Sequence, residues 1–172
     1  GNYCGFIPRI GISGVLKDVI FINGKLNGNG GFISCHSFGT VENVYIEAEI
    51  TNNSATVSMG DRRLCASVLA SESAPNMNVK NVFVKYLNDV DEELHAGHLF
   101  ILGDCKPDGL IVVGHKKYYS KTWGGFSDAN ARSYSTEAEF IAAKDEWSAL
   151  AANYSSLIFN VTETGISPAR RI

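Results

Sequence analysis

The sequence predicts a mainly β protein, a parallel β-solenoid of about four coils over residues 3–120 with a C-terminal α-helical cap. Four stretches share one plan, in which a short apolar strand, a polar or Gly turn and a second strand follow one another. The second strands are Leu16–Ile22, Val41–Ile46, Val79–Val84 and, as a looser copy, Asp108–Val113. Strand-rich repeats on the order of 30 residues long are typical of stacked coils.

The first strand of each copy is a short apolar opener. The openers are Gly5–Ile7, Gly31–Ile33, Leu64–Ala66 and Leu99–Ile101. In the second strands, residues two apart share a face, so each of the first three copies offers one apolar pair to a common core. These pairs, which we expect to be buried and stacked in register, are Val19 with Phe21, Val44 with Ile46 and Val82 with Val84.

An Asn or Asp recurs at the same place in the first three second strands. Asp18, Asn43 and Asn81 each follow a charged residue and precede Val. Asx side chains bond neighbouring backbone groups and tolerate the left-handed conformation, so they suit a stacked turn position. We therefore expect Asn43 and Asn81 to be neighbours across adjacent copies.

The second copy carries a resemblance to a known family. Gly31-Phe32-Ile33-Ser34 followed by Gly39-Thr40-Val41-Glu42-Asn43-Val44-Tyr45-Ile46 resembles a Gly-rich repeat of the GLUG type. Such repeats occur in bacterial surface proteins, adhesins and phage-encoded surface proteins. The resemblance covers residues 5–115 and implies a right-handed parallel β-solenoid located outside the cell, on a cell surface or on a virion. It brings no catalytic residues, and its fourth copy departs from the pattern at Pro107-Asp108-Gly109.

The pattern changes near residue 133, which divides the chain into a strand repeat (1–132) and a cap (133–172) of the same compact unit. Thr136 and Glu139 have the spacing of a capping box, and apolar residues including Phe140 and Trp147 follow at helical spacing. We expect a helix ending near Asn153 or Tyr154 to plug the open end of the strand column, because solenoids need terminal caps. A last strand is predicted at Leu157–Val161.

Composition excludes several classes of function. The 172 residues carry a formal net charge of −3, so the chain has no excess of basic residues with which to bind the phosphates of a nucleic acid. No apolar stretch approaches the roughly 18 residues that a membrane span needs. Cys4, Cys35, Cys65 and Cys105 form no Cys-x-x-Cys pair, which argues against a zinc site. We interpret them as small buried residues, with a disulfide as the alternative.

Two groups of residues have side chains that could serve catalysis or metal binding. His95 and His98 lie beside Glu92 and Glu93, but Gly97 and the following strand favour a solvated loop over a helix that would align both histidines. We therefore expect no metal and no cofactor. Carboxylates with nearby basic residues leave a polysaccharide-degrading enzyme of the parallel β-helix type as the alternative function. The carboxylates are Asp61, Glu72, Asp89, Asp91, Glu92, Glu93 and Asp104, and the basic residues are Arg62, Arg63, Lys116 and Lys117.

The leading candidate for a ligand site is aromatic. Tyr118, Tyr119 and Trp123 lie close together near Gly124-Gly125, and sugar rings stack well on exposed aromatic faces. The alternative is that these rings pack the junction between the repeat and the cap. Polar segments at Thr51–Arg63 and Asn88–His98 are expected to leave the same edge of the fold and to flank the patch.

The resulting hypothesis is a non-enzymatic structural or receptor-binding module of a bacterial cell-surface or phage virion protein. It would display loops on a rigid solenoid and bind a host-surface glycan or protein. Because the pattern is already under way at Tyr3–Phe6, we expect the N-terminal edge to continue into another coil or domain, or to be covered by self-association.

Overall fold

The computed structural model describes residues 5–27, 30–51, 66–73, 77–88, 98–100, 106–114, 130–151, 158–163 and 165–169. Most of these residues lie in strands, and two short helices precede a C-terminal hairpin. The elements are β1 (Ile7–Ile10), β2 (Val15–Asn27), β3 (Gly30–Gly31), β4 (Ser34–Ser37), β5 (Thr40–Thr51), β6 (Ala66–Ser73), β7 (Asn78–Tyr86), β8 (His98–Phe100), β9 (Lys106–Val113), β10 (Ala131–Tyr134), α1 (Glu137–Ala142), α2 (Lys144–Ala151), β11 (Phe159–Thr162) and β12 (Gly165–Pro168).

Five strands form one parallel sheet in the order β10-β9-β7-β5-β2, which we call the main sheet. Valine and isoleucine dominate these strands, and β-branched side chains suit a pleated surface that is packed on its neighbours. The register brings equivalent residues side by side, so that Val19, Val44, Val82, Leu110 and Ala131 form one column across the sheet.

A ladder of Asx side chains crosses the main sheet. Asn81 Nδ2 donates to Asn43 Oδ1 at 2.8 Å, and Asn43 Nδ2 donates to Asp18 Oδ1 at 3.1 Å. All three residues are left-handed, with φ of 58°, 52° and 48° for Asp18, Asn43 and Asn81. Gly109 occupies the next position and is also left-handed, with φ of 95°. The expected contact between Asn43 and Asn81 is therefore confirmed.

The inner face of the main sheet packs against a smaller parallel sheet, which we call the minor sheet. In it β1 pairs with β4, and β6 pairs with β3, β4 and β8. Ile33, Val68 and Leu69 are fully buried in the shared core, together with Val44, Ile46, Val82 and Val84 of the main sheet. Val19 and Phe21 are only half-buried, because β2 is the outermost strand of its sheet.

The outer face of the main sheet has a second, aromatic core. Tyr45 and Phe83 are stacked with their ring centroids 5.2 Å apart, and the Phe83 ring lies 4.6 Å from that of Phe159. Phe140 and Trp147 cover this face, and Trp147 Nε1 donates to Phe140 O at 2.7 Å. The helices and the β11–β12 hairpin thus form a layer on the face of the main sheet.

The predicted right-handed parallel β-solenoid of about four coils with a C-terminal α-helical cap is wrong. The described residues form two five-stranded sheets, a two-stranded antiparallel sheet and two short helices, and no closed coils. In the minor sheet the repeat breaks down, because β3 and β4 both pair with β6 and the register between β6 and β8 is irregular. The helices cover a sheet face instead of an end, because the column containing Tyr45 and Phe83 is apolar and must be buried.

The local prediction for the C-terminal segment holds in part. Thr136 is the N-cap of α1 and accepts a hydrogen bond from Glu139 N at 3.1 Å. The Glu139 carboxylate accepts from Ser135 N at 2.9 Å, one residue before the partner that a capping box would use. The single predicted helix is divided at Ala143, and the predicted last strand is present as β11, paired with a β12 that was not predicted.

The Asx ladder should stabilise the fold in two ways, through its side-chain hydrogen bonds and through residues that tolerate the left-handed backbone, and two variants of Asn43 can separate these contributions. Asn43→Gly keeps the left-handed conformation but removes both ladder bonds, which should cost about 1–2 kcal/mol of unfolding free energy. Asn43→Ala should cost about 1 kcal/mol more, because alanine is strained at positive φ. Denaturant unfolding measures both losses.

Asn23 supplies the matched control for the ladder. It is left-handed, with φ of 54°, but it lies outside the ladder. Asn23→Gly should therefore leave the unfolding free energy within about 0.5 kcal/mol of the wild-type value. An equal loss of unfolding free energy in Asn43→Gly and Asn23→Gly would show that the hydrogen bonds of the ladder do not stabilise the fold.

Tyr45 should make stability sensitive to alkaline pH. Burial, followed by the 2.6 Å hydrogen bond to Glu47 Oε1 and the charge of that carboxylate, raises the pKa of Tyr45 well above its ordinary value. A raised pKa means that the folded state holds the proton more tightly. Its contribution is thus complete below about pH 10 and is lost as the pH rises further. Unfolding free energy measured above pH 10 should fall less steeply for Tyr45→Phe than for the wild type, and equal slopes would contradict this account.

Candidate binding site at the carboxyl edge

One edge of the main sheet collects the ends of its longest strands. Because β2, β5, β7 and β9 are parallel neighbours, their carboxyl ends lie side by side. β5 ends at Thr51, β7 at Tyr86 and β9 at Val113. The chain segments 52–65, 89–97 and 115–129 therefore start from the same edge, which we call the carboxyl edge. Ligands of open parallel α/β sheets bind outside the corresponding edge.

The predicted ligand-site residues belong to one of these segments. Tyr118, Tyr119 and Trp123 lie outside the described residues, in the segment that follows Gly114. His95 and most of the carboxylates considered for metal binding or catalysis also lie outside the described residues, in segments that include 52–65 and 89–97. His98 is the first residue of β8, where only the backbone is described. Glu72 and Cys35 lie in β6 and β4, where only the backbone is described, and Cys4, Cys65 and Cys105 are outside the described residues.

Backbone hydrogen bonds fix the points where the chain leaves the carboxyl edge. Leu87 N donates to Ala48 O at 3.0 Å, and Gly114 N donates to Tyr134 O at 2.9 Å. Gly114 has φ of 95°, and a Cβ atom there would lie 3.0 Å from Tyr86 O. Glycine is therefore required at this exit point. The segments at 89–97 and 115–129 consequently start from backbone that is held to the neighbouring strand.

A separate cleft lies between the helices and the C-terminal hairpin. Its volume is about 520 Å³, within the usual range for small-molecule sites. Trp147 and Phe159 form a buried apolar floor, while the exposed Lys144 and Glu163 lie at its rim. Neither charged group pairs with an oppositely charged side chain of the described residues. The remaining lining residues are Ile141, Asn160, Val161 and Thr162.

This cleft was not predicted from the sequence. The sequence places Trp147 in a terminal plug and Asn160 and Val161 in a strand, and it predicts no binding role for any of them. A signal was present, because Thr162-Glu163-Thr164-Gly165 between two short apolar runs is typical of a hairpin with a Gly-containing turn. The cleft can accept a small amphipathic molecule or an amphipathic side chain of a partner.

Glu137 holds the helix layer in place beside the cleft. Its Oε1 accepts from Ile166 N at 2.5 Å, and Lys85 Nζ lies 3.0 Å from its Oε2. One carboxylate thus joins α1 to β7 and to β12, whose hairpin partner β11 forms a wall of the cleft. The side chains of Lys85 and Glu137 are only 18% and 34% exposed, so solvent screens this pair less than a surface pair.

No group of three or more His, Cys, Asp or Glu side chains that could hold a metal ion occurs within the part of the chain that the structure describes. Among those same residues, no helix is long and apolar enough to cross a membrane.

Comparison with known proteins gives no relative: no family model, curated protein or solved structure matches this chain. The resemblance to GLUG-type repeats therefore rests on the quoted sequence motif and stays a prediction.

Loss of the Glu137 carboxylate should loosen the hairpin wall of the cleft. Glu137→Ala leaves the Ile166 amide and the Lys85 ammonium without their acceptor, so we expect a loss of about 2 kcal/mol in unfolding free energy. Amide hydrogen exchange should speed up in β12. Glu146→Ala is the control, because Glu146 is 54% exposed where it pairs with Arg132 and should cost less than about 1 kcal/mol. Equal effects of the two variants would contradict the role given to Glu137.

Proposed function

We propose that this protein is a non-enzymatic receptor-binding module of a bacterial cell-surface or phage virion protein. The observation that carries the proposal is the carboxyl edge, where three long connections start side by side from one parallel sheet. Binding surfaces are commonly built from loops that a rigid scaffold positions. On this proposal the main sheet is the scaffold, and segments 52–65, 89–97 and 115–129 supply the contacts.

The rigidity of the main sheet supports this division of roles. Over β5, β7 and β9 both of its faces are covered, the inner one by the minor sheet and the outer one by the helix layer. The Asx ladder ties three of its strands together through side chains in addition to the backbone. A scaffold of this kind tolerates variation in the connections, because the register does not depend on them.

The aromatic residues of segment 115–129 favour a glycan as the ligand. Tyr118, Tyr119 and Trp123 offer flat apolar faces, and the glycines that follow allow close approach of a sugar ring. We expect an affinity per site in the millimolar to micromolar range, about −4 to −8 kcal/mol, which multivalent display on a cell or virion would raise.

A glycan array probed with bead-coupled protein tests the proposal. The double variant Tyr119→Ala/Trp123→Ala should lose binding while its far-UV circular dichroism and unfolding midpoint stay unchanged. The double variant Lys144→Ala/Thr162→Ala changes the cleft instead and should bind as the wild type does.

Four outcomes would count against this proposal. Unchanged binding by the aromatic variant would remove the patch, and lost binding by the cleft variant would move the ligand to the cleft. Unfolding of the aromatic variant would assign these rings to the core, as the alternative interpretation has it. If the wild-type protein binds no glycan even when many copies are coupled to one bead, a glycan ligand is rejected.

A further inference from the structure

The function proposed above rests on the carboxyl edge and makes no use of the cleft between the helices and the C-terminal hairpin. The floor of this cleft is apolar. Trp147 Nε1 donates to Phe140 O at 2.7 Å, and the Trp147 ring packs edge to face on Phe159 with the centroids 5.6 Å apart. Because the indole N–H is already bonded, it is not free to bond a ligand. The end of a ligand that reaches this floor must therefore be apolar, since a polar group there would lose its hydrogen bonds to water.

One wall of the cleft comes from the helices and ends in a cation. Lys144 and Trp147 are three residues apart in α2, so they lie on the same face of that helix. Trp147 is buried, whereas Lys144 is exposed at the rim. The aliphatic part of a lysine side chain can lie along apolar surface while its ammonium group stays in water. This wall therefore leads from an apolar floor to a positive charge.

The opposite wall comes from the hairpin and ends in an anion. Phe159, Val161 and Glu163 alternate along β11 and into the turn that follows it, and residues two apart on a strand share a face. Phe159 is buried, Val161 is half-buried and Glu163 is exposed. This wall therefore leads from the same apolar floor to a negative charge.

The hairpin wall is held in place by bonds within the protein. Glu137 Oε1 accepts from Ile166 N, and Thr162 Oγ1 donates to Gly165 O at 3.1 Å. Binding to a surface that is already ordered costs less conformational entropy than binding that must order it. The cleft of about 520 Å³ is thus a preformed space.

The two charges at the rim select the kind of ligand. Within the described residues, Lys144 and Glu163 pair neither with each other nor with another charged side chain. A ligand with a single charge would be attracted by one of them and repelled by the other, and a neutral ligand would match neither. A ligand that carries both an anionic and a cationic group matches both.

We propose that the cleft binds a free amino acid with an aromatic side chain. The carboxylate of the amino acid pairs with the Lys144 ammonium, and its ammonium group pairs with the Glu163 carboxylate. Its ring lies between Ile141 and Val161 and packs on the aromatic floor. This binding site is separate from the carboxyl edge and is independent of the glycan proposal.

Three ligands with the same indole ring test the proposal. Tryptophan carries both charges, tryptamine carries only the cation, and indole-3-propionate carries only the anion. The chain has two tryptophans, so NMR titration of the ¹⁵N-labelled full chain can follow the indole N–H signal of Trp147, and Trp123→Phe assigns the two signals. We expect tryptophan to shift this signal with a dissociation constant of about 1 mM or below. Each singly charged ligand should bind about threefold or more weakly.

Variants of the rim residues should change the affinities in a charge-specific way. Glu163→Gln should weaken tryptophan and tryptamine about threefold without weakening indole-3-propionate. Lys144→Gln should weaken tryptophan and indole-3-propionate without weakening tryptamine. Asp145→Asn is the matched control, because Asp145 is an exposed charge next to Lys144 that does not line the cleft. It should leave all three dissociation constants within about twofold of the wild-type values.

No shift of the Trp147 signal at about 10 mM tryptophan would overturn the proposal. Equal affinities of the wild type for the three ligands would show that the rim charges do not select a zwitterion, and would overturn it as well. Equal effects of Glu163→Gln, Lys144→Gln and Asp145→Asn would remove the two rim residues from the site. The glycan array measures binding at the carboxyl edge, so failure of either proposal leaves the other one standing.

Discussion

The left-handed Asx ladder is the constraint on which the other features of the main sheet depend. A shift of one residue in strand register would exchange the two faces of a strand, and the ladder opposes such a shift because each rung must meet the next. With the register fixed, Val44 and Val82 face the minor sheet, while Tyr45 and Phe83 face the helix layer. The exit points of the connections at the carboxyl edge follow from the same alignment.

The sequence pattern predicted the parts of the fold that repeat. The second strands, their shared register and the contact between Asn43 and Asn81 follow from the recurring Asx–Val step. The prediction of a closed solenoid was wrong because the sequences of the opener strands do not specify which strands they pair with. β4 and β6 consist largely of small or weakly patterned residues, which do not specify one partner strand. The predicted position of the cap was wrong because Tyr45 and Phe83, on the face opposite the predicted apolar pairs, form an apolar column that needs a cover.

The two binding surfaces differ in how far the sequence can reveal them. The carboxyl edge follows from strand order alone, so the polar segments between repeats already indicate that the connections leave on one side. The cleft requires α1, α2 and the hairpin to be brought together on the sheet. Its charged rim residues, Lys144 and Glu163, lie far apart in the chain and share no motif, so only the folded layer shows that they line one space.

The two ends of the ladder explain why the ends of the main sheet differ. At one end Gly109 keeps the left-handed backbone without a side chain, and the chain beyond β10 turns directly into the helix layer. That layer reaches along the outer face as far as Tyr45, which is fully buried. It does not reach Ile20, the next residue in the same column, which is 43% exposed. Within the described residues β2 is the outermost strand of the main sheet, so the uncovered apolar position lies at the end of the sheet where the cover of the outer face stops.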